Sequence, residues 1–190
     1  MAMTEELKET LNACLRCENI EAIRERDTDF GGYGCVITPG SGTEVMLNNI
    51  RAESFLSRLA ARHGKDLKKL CLLRGLAQGN KRSHVDFYQI SLRLLFVPLR
   101  YRRAVNSHHT TRLYANVSRL VGVTQDAEGR TLLRFLSGKT LPVKVSCDYA
   151  KARLTAGREL LYREYFSMQQ NLRSMQVTLS RLEKLAEELQ

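Results

Sequence analysis

Apolar residues in the first quarter of the chain change their spacing once. In residues 5–26, leucines and isoleucines recur at helical intervals among charged residues, which predicts an amphipathic helix. Glycines in residues 27–34 end that pattern. Two short apolar segments, 33–38 and 43–47, then flank the turn sequence at 39–42, and together they predict a β-hairpin.

Helical spacing returns at Ala52. The residues after Ala52 form one apolar helical face. Gly64 occupies the position just after this helix, where glycine commonly adopts the left-handed conformation that caps a helix. Asp66 can open a second helix, whose apolar residues are Leu67, Leu70 and Leu73. We therefore predict a helical hairpin, which also fits a helix-turn-helix template; a plain helical hairpin remains the alternative.

The region after residue 79 has the character of strands. We predict strands at 84–90, 92–97 (ended by Pro98), 113–123, 131–136 and 140–145. Tight turns are predicted at 126–129 and 137–139, because both contain glycine between alternating segments.

A long helix is predicted to follow Ser146, which is a natural N-cap residue. Apolar residues in this helix recur in alternating steps of four and three, the heptad spacing of a coiled coil. The alternative is that this stripe packs on the protein's own core or on the N-terminal helix. The residues predicted to mediate dimerisation are Leu161, Tyr165, Met168, Leu172, Met175, Leu179, Leu182 and Leu189.

Together these patterns predict an α+β protein with antiparallel β-hairpins, an N-terminal helix, a helical hairpin and a long C-terminal helix. The predicted division is an N-terminal helix at 1–30, a basic core at 31–150 and the C-terminal helix at 151–190.

Charge is distributed unevenly along the chain. Residues 51–119 contain fifteen Lys/Arg and three acids, whereas residues 1–50 contain four bases and nine acids. A concentrated positive charge repels itself, so it indicates a polyanionic partner, and nucleic acid is the favoured one. The bases are mostly Arg and are interleaved with hydrogen-bonding side chains, as in residues 100–112. Solubility, an acidic protein or anionic lipid are the alternatives.

The predicted DNA contacts combine the basic residues of the helical hairpin with those of the polar stretch. They are Arg62, Lys65, Lys68, Lys69, Arg74, Lys81, Arg82, Arg100, Arg102, Arg103, His108, His109 and Arg112.

Other chemistry finds little support in the sequence. The five cysteines are scattered, and only Cys14 and Cys17 have a metal-like spacing, so neither a disulfide framework nor a metal site is predicted. No catalytic motif or cofactor-binding loop is recognisable, and we predict no enzyme and no cofactor. The alternatives are an adaptor acting through the C-terminal helix and a nucleic-acid enzyme using His108 and His109. No apolar run approaches the roughly 20 residues of a membrane span, and the cytoplasm is the expected location.

Residues 95–100, 119–123 and 131–146, followed by a helix, resemble the competence transcription factor (ComK-type) family, and the resemblance extends over about residues 57–161. It implies a cytoplasmic transcription activator that binds AT-rich duplex DNA through the minor groove and assembles as a multimer. Arg100, Arg102, Arg103 and Arg112 would then enter the groove, and Lys65, Lys68, Lys69, Lys81 and Arg82 would contact phosphates. Residues 131–145 and Tyr149 are also similar to LytTR-type DNA-binding domains.

Overall fold

The computed structural model describes residues 4–27, 32–67, 69, 87–102 and 111–188, which form a mixed α+β fold, so the predicted class is confirmed. The helices of this part of the chain are α1 (Glu5–Arg16), α2 (Ala52–Arg62) and α3 (Cys147–Glu188), with a short 3₁₀ helix at Val117–Arg119. The strands are β1 (Ile20–Asp27), β2 (Tyr33–Pro39), β3 (Val45–Asn48), β4 (Tyr88–Gln89), β5 (Leu95–Arg100), β6 (Arg112–Asn116), β7 (Leu120–Gln125), β8 (Thr131–Phe135) and β9 (Thr140–Val143).

Two antiparallel sheets organise the fold. The larger has the strand order β3-β2-β1-β6-β5-β4, and the smaller is the meander β7-β8-β9. Side chains alternate across the larger sheet, so Phe96 and Tyr114 face one core while Val97 and Leu113 face another. The first core contains apolar residues of α1 and α2, and the second contains those of the smaller sheet and the first turns of α3. The larger sheet is therefore the middle layer.

The N-terminal helix is shorter than predicted. It ends at Arg16, and residues 20–27 form β1, a central strand of the larger sheet. The prediction was wrong because of a register shift between Ile20 and Ala22, which is a bulge in the pairing with β2. A bulge adds one residue to a strand, so Ile20 and Ile23 face the same core at the three-residue spacing of a helix.

Two strand predictions also need correction. Pro98 does not end its strand, because β5 continues to Arg100 and Pro98 pairs with Tyr114 of β6. On its other side β5 pairs with β4 only at Leu95 and Phe96, so Pro98 lies at an open edge where a missing N–H is tolerated. The predicted strand at 113–123 is two strands, β6 and β7, which the 3₁₀ helix directs into different sheets.

The predicted hairpin of β2 and β3, the turns before β8 and β9, and α2 are confirmed. Gly64 follows α2 with φ +68°, as its capping role requires. The Oδ1 atom of Asp66 accepts a hydrogen bond from the backbone N–H of Lys69 at 3.2 Å, which is the bond that caps the start of a helix. The remainder of the predicted second helix and the strand residues at 84–86 lie outside the described residues.

Helix α3 begins as predicted, since the N–H of Tyr149 donates to the Oγ atom of Ser146 at 3.3 Å. Its first turns are packed, with Ala150, Leu154 and Gly157 buried. Residues 162–185 of the helix are almost all exposed, so about 35 Å of helix projects from the body. None of the helices in the described ranges combines the length and apolar character that crossing a membrane demands.

Candidate nucleic-acid interface

Two arginines lie on adjacent strands at one end of the larger sheet, and a lysine from the segment after β9 lies next to them. Arg100 of β5 lies directly opposite Arg112 of β6. The neighbouring N–H of Tyr101 donates to the carbonyl of Thr111 at 2.7 Å, so the two arginines occupy the type of pair in which side chains approach most closely. On the other side of β5, the N–H of Lys144 donates to the carbonyl of Arg100 at 2.7 Å. We call Arg112, Arg100 and Lys144 the basic row.

The basic row places three positive charges at the surface. Arg100 and Lys144 are exposed and Arg112 is half-buried. Within the described part of the chain, none of the three forms an ion pair with an acid. Like charges directly opposite one another on antiparallel strands destabilise a sheet, and a bound anion removes that repulsion. The row therefore has the electrostatics of an anion-binding surface.

Other bases of the middle segment are held by acids from residues 1–50. Arg93 pairs with Glu18, Arg102 with Asp27, and Arg119 lies 3.9 Å from the buried Glu21. Arg102 was predicted to enter a DNA groove, but its side chain is only 18% exposed. These contacts give part of the positive charge a structural role.

Arg24 is a base whose side chain is held by contacts within the protein. Its guanidinium is buried, forms two hydrogen bonds of 2.7 Å to the carboxylate of Glu44, and lies 5.8 Å from the centre of the Tyr101 ring. The hydrogen bonds from Arg24 hold the pKa of Glu44 below its ordinary value, with Thr38 adding a further donor. This pair ties β1 to the segment before β3.

Three of the predicted bases of the helical hairpin, Arg62, Lys65 and Lys69, lie in the described residues. Arg62 and Lys69 are exposed, and the Nζ atom of Lys65 donates to the carbonyl of Gln89 at 3.3 Å. Gln89 pairs with Leu95 at the start of β5, whereas Arg100 ends that strand. Five residues of strand, about 17 Å, separate the two places, so within the described residues Lys65 and the basic row belong to different regions. The remaining predicted contacts, Lys68, Arg74, Lys81, Arg82, Arg103, His108 and His109, lie outside the described residues.

The sequence prediction missed Lys144. Nothing in its local sequence distinguishes it from a lysine at the end of any exposed strand. Its place beside Arg100 follows from the backbone hydrogen bond that joins the segment after β9 to β5, residues 44 positions apart in the chain.

Seven of the eight predicted dimerisation residues lie along one stripe of α3. Leu161 packs partly buried against the body, and Leu189 is outside the described residues. At the preceding seam position, the Nη2 atom of Arg158 donates to the carbonyls of Leu120 and Val121 at 3.1 and 2.9 Å. The stripe is therefore free from residue 165 onwards. We call Tyr165, Met168, Leu172, Met175, Leu179 and Leu182 the free seam, and their side chains are between 43% and 62% exposed.

Thiol and metal chemistry have little basis in the described ranges. Burial raises the pKa of Cys14 and, more strongly, that of Cys35, which disfavours the nucleophilic thiolate of both. No group of three or more His, Cys, Asp or Glu residues in the described part of the chain is arranged to hold a metal ion.

A groove of about 820 Å³ between α1, β3 and α2 has Tyr33, Asn49 and Arg58 in its walls.

Comparisons with known proteins add no relative. No protein-family model matches the chain, and the searches of curated proteins and of solved structures found no match. The resemblance to competence transcription factors therefore remains a prediction from the sequence.

Proposed function

We propose that this protein binds double-stranded DNA in a regulatory role, through a surface that includes the basic row. The observation that carries the proposal is the pair of opposed arginines with Lys144 beside them, none of which pairs with an acid in the described part of the chain. The net charge of residues 51–119 supports it, because three basic side chains alone are a small electrostatic target.

The sequence resemblance supports a more specific form of the proposal. The DNA would be AT-rich, the contact would use the minor groove, and the protein would act as a transcriptional activator. Arginine is suited to a narrow A-tract groove, where the negative potential is concentrated. In the basic row, Arg100 and Arg112 lie directly opposite each other, so the row presents two arginine side chains next to each other.

The salt dependence of binding tests the proposal. For duplex DNA, each neutralised phosphate contributes about −0.9 to the slope of log affinity against log salt. Three contacts from the basic row therefore account for about −2.7 of that slope, or about 40-fold in affinity between roughly 50 and 200 mM salt. We expect the variant Arg100→Gln/Arg112→Gln/Lys144→Gln to lose this part of the dependence in fluorescence anisotropy titrations with AT-rich and GC-rich duplexes.

A matched control separates the row from net charge. The variant Arg16→Gln/Arg134→Gln/Arg173→Gln removes the same three charges from exposed positions elsewhere, and its slope should remain that of the unmodified protein. Equal slopes for the two variants would contradict an interface at the row. An affinity that stays flat over this salt range in the unmodified protein would contradict DNA binding driven by phosphates altogether.

A second candidate function is an adaptor that recruits another protein through α3. The exposed free seam favours it, because unpaired apolar surface of this kind marks an interaction site. Deleting residues 162–190 distinguishes the two functions. A DNA-binding protein keeps its intrinsic affinity for a single site after the deletion, whereas an adaptor loses its partner.

A further inference from the structure

The free seam is apolar surface that the described part of the protein leaves uncovered. Its six side chains extend over about 25 Å of helix beyond the body, and each is at least 43% exposed. The spacing alternates between three and four residues, so the stripe stays on one side of a supercoiled helix. Among structural elements, another helix with the same spacing is the one that can follow this stripe along its whole length.

The charge of this segment suits a second copy of this chain as the partner. Residues 162–190 contain four Lys/Arg and four Glu, so residues 1–161 carry the entire net charge of +10. The positions that flank the middle of the seam are uncharged: Gln169, Asn171, Gln176 and Thr178. Two copies of this segment therefore meet without repulsion, although the protein as a whole repels itself.

The same charge distribution sets the orientation. In a parallel pair, the two bodies, each with a net charge of +10, would lie side by side at the start of the helices. In an antiparallel pair they are held apart by the overlapping helices, about 38 Å for the 25 residues between 161 and 186. That separation exceeds the screening length of about 8 Å at physiological salt, and antiparallel helix dipoles also attract.

We infer that the free seam binds the free seam of a second copy in antiparallel orientation. In the symmetric register, Tyr165 lies opposite Leu182, Met168 opposite Leu179, and Leu172 opposite Met175. Every layer then combines one residue from each of the two heptad positions, so the large Tyr165 side chain meets a leucine and not a second tyrosine. The free seam begins at Tyr165, seven residues after Arg158, whose guanidinium bonds to the body.

Sedimentation of the complete chain tests the association. The unmodified protein should be a dimer whose dissociation constant rises at least about 100-fold in the variant Leu172→Gln/Leu179→Gln, because four apolar side chains per dimer lose their burial. The control Phe166→Gln/Val177→Gln removes two side chains that are equally exposed, 62% and 54%, but lie outside the seam, and should leave the constant unchanged. Circular dichroism should show the same folded body in both variants.

A monomeric complete chain, or equal weakening by the two variants, would overturn the inference. This outcome is independent of DNA binding, which is measured separately with the basic-row variant.

Disulfide trapping tests the orientation. In an antiparallel dimer, mixing Tyr165→Cys protein with Leu182→Cys protein should give a cross-linked pair of the two, whereas two copies of residue 165 lie about 25 Å apart. In a parallel dimer, Tyr165→Cys protein should cross-link to itself. Cross-linking of Tyr165→Cys alone would overturn the orientation, and a dimer that cross-links in neither experiment would overturn the register. The unmodified protein under the same oxidation shows the contribution of the native cysteines.

Discussion

Asn116 should be among the most sensitive positions in the protein. Its side chain is fully buried where β6 meets the 3₁₀ helix. The Nδ2 group donates to the carbonyls of Ile20 at 2.7 Å and Arg93 at 2.9 Å, while Oδ1 accepts from the N–H of Ser118 at 3.2 Å. One amide therefore joins β1, the segment before β5 and the turn that leads into the smaller sheet.

The loss of stability expected for Asn116→Ala follows from the hydrogen bonds that each carbonyl keeps after the substitution. The carbonyl of Arg93 keeps a hydrogen bond from the Ser118 hydroxyl at 2.6 Å, so it loses one of two donors. The buried carbonyl of Ile20 loses the donor that the amide supplied, at about 1–3 kcal/mol. Adding about 1 kcal/mol for the lost bond to the Ser118 N–H gives a total destabilisation of about 2–4 kcal/mol.

Urea unfolding followed by circular dichroism measures this difference. With a denaturant dependence of about 1–3 kcal/mol per molar, a loss of about 2–4 kcal/mol should lower the midpoint by roughly 0.7–4 M. Asn116→Asp keeps the acceptor but directs a carboxylate at the Ile20 carbonyl, so it should be at least as damaging at neutral pH. Asn12→Ala, in an exposed position of α1, is the control and should change stability little. A loss below about 1 kcal/mol for Asn116→Ala would refute the assigned role of the amide.

Two further substitutions test other parts of the fold. In Gly157→Ala, the added methyl group would lie 2.8 Å from Val117 and 3.0 Å from the Phe87 ring, so we expect a net loss of about 1 kcal/mol despite the better helix propensity of alanine. Combining it with Val117→Ala in a double-mutant cycle should relieve part of that loss. An additive cycle would contradict the close approach. Because Arg24 lowers the folded-state pKa of Glu44, the stability that Glu44 contributes should be present above its ordinary pKa and lost as the pH falls through the lowered value. The stability difference between the unmodified protein and Glu44→Gln, measured by unfolding from neutral to acidic pH, should therefore shrink towards acid, and a constant difference would contradict it.

Local chemistry in the sequence was sufficient to predict many turns and helix ends. Gly64 and Gly138 have positive φ angles that glycine adopts without strain, and Ser146 caps α3. Each of these features depends on residues close in sequence. The positions of turns between strands of the smaller sheet were predictable for the same reason.

Strand β1 could not be predicted from a local window, because its buried charges are satisfied by distant residues. Glu21 is fully buried and accepts hydrogen bonds from the N–H and hydroxyl of Ser137 at 3.0 and 2.6 Å. Glu25 accepts from the N–H of Ala52 at 3.1 Å, at the start of α2. In the sequence these glutamates favour an exposed helix, and only the fold supplies the partners that let a strand bury them.

The basic row shows the same limit at the candidate interface. The sequence identified Arg100 and Arg112 as members of a basic stretch, but not that they lie opposite each other. It also gave Arg102 the same role, whereas the fold pairs Arg102 with Asp27. Whether a base is available to a partner depends on the acids that the fold places beside it, and those acids are far away in the sequence.

Salt separates the two proposed interactions by the sign of its effect. Added salt weakens the binding of basic side chains to DNA phosphates. The free seam has no net charge to screen, and screening reduces the repulsion between two bodies of net charge +10. Self-association should therefore be unchanged or stronger at the salt concentrations that dissociate DNA. If both interactions weakened together with added salt, the contact between copies would have to involve charged surfaces, and the apolar seam would not be the contact that holds two copies together.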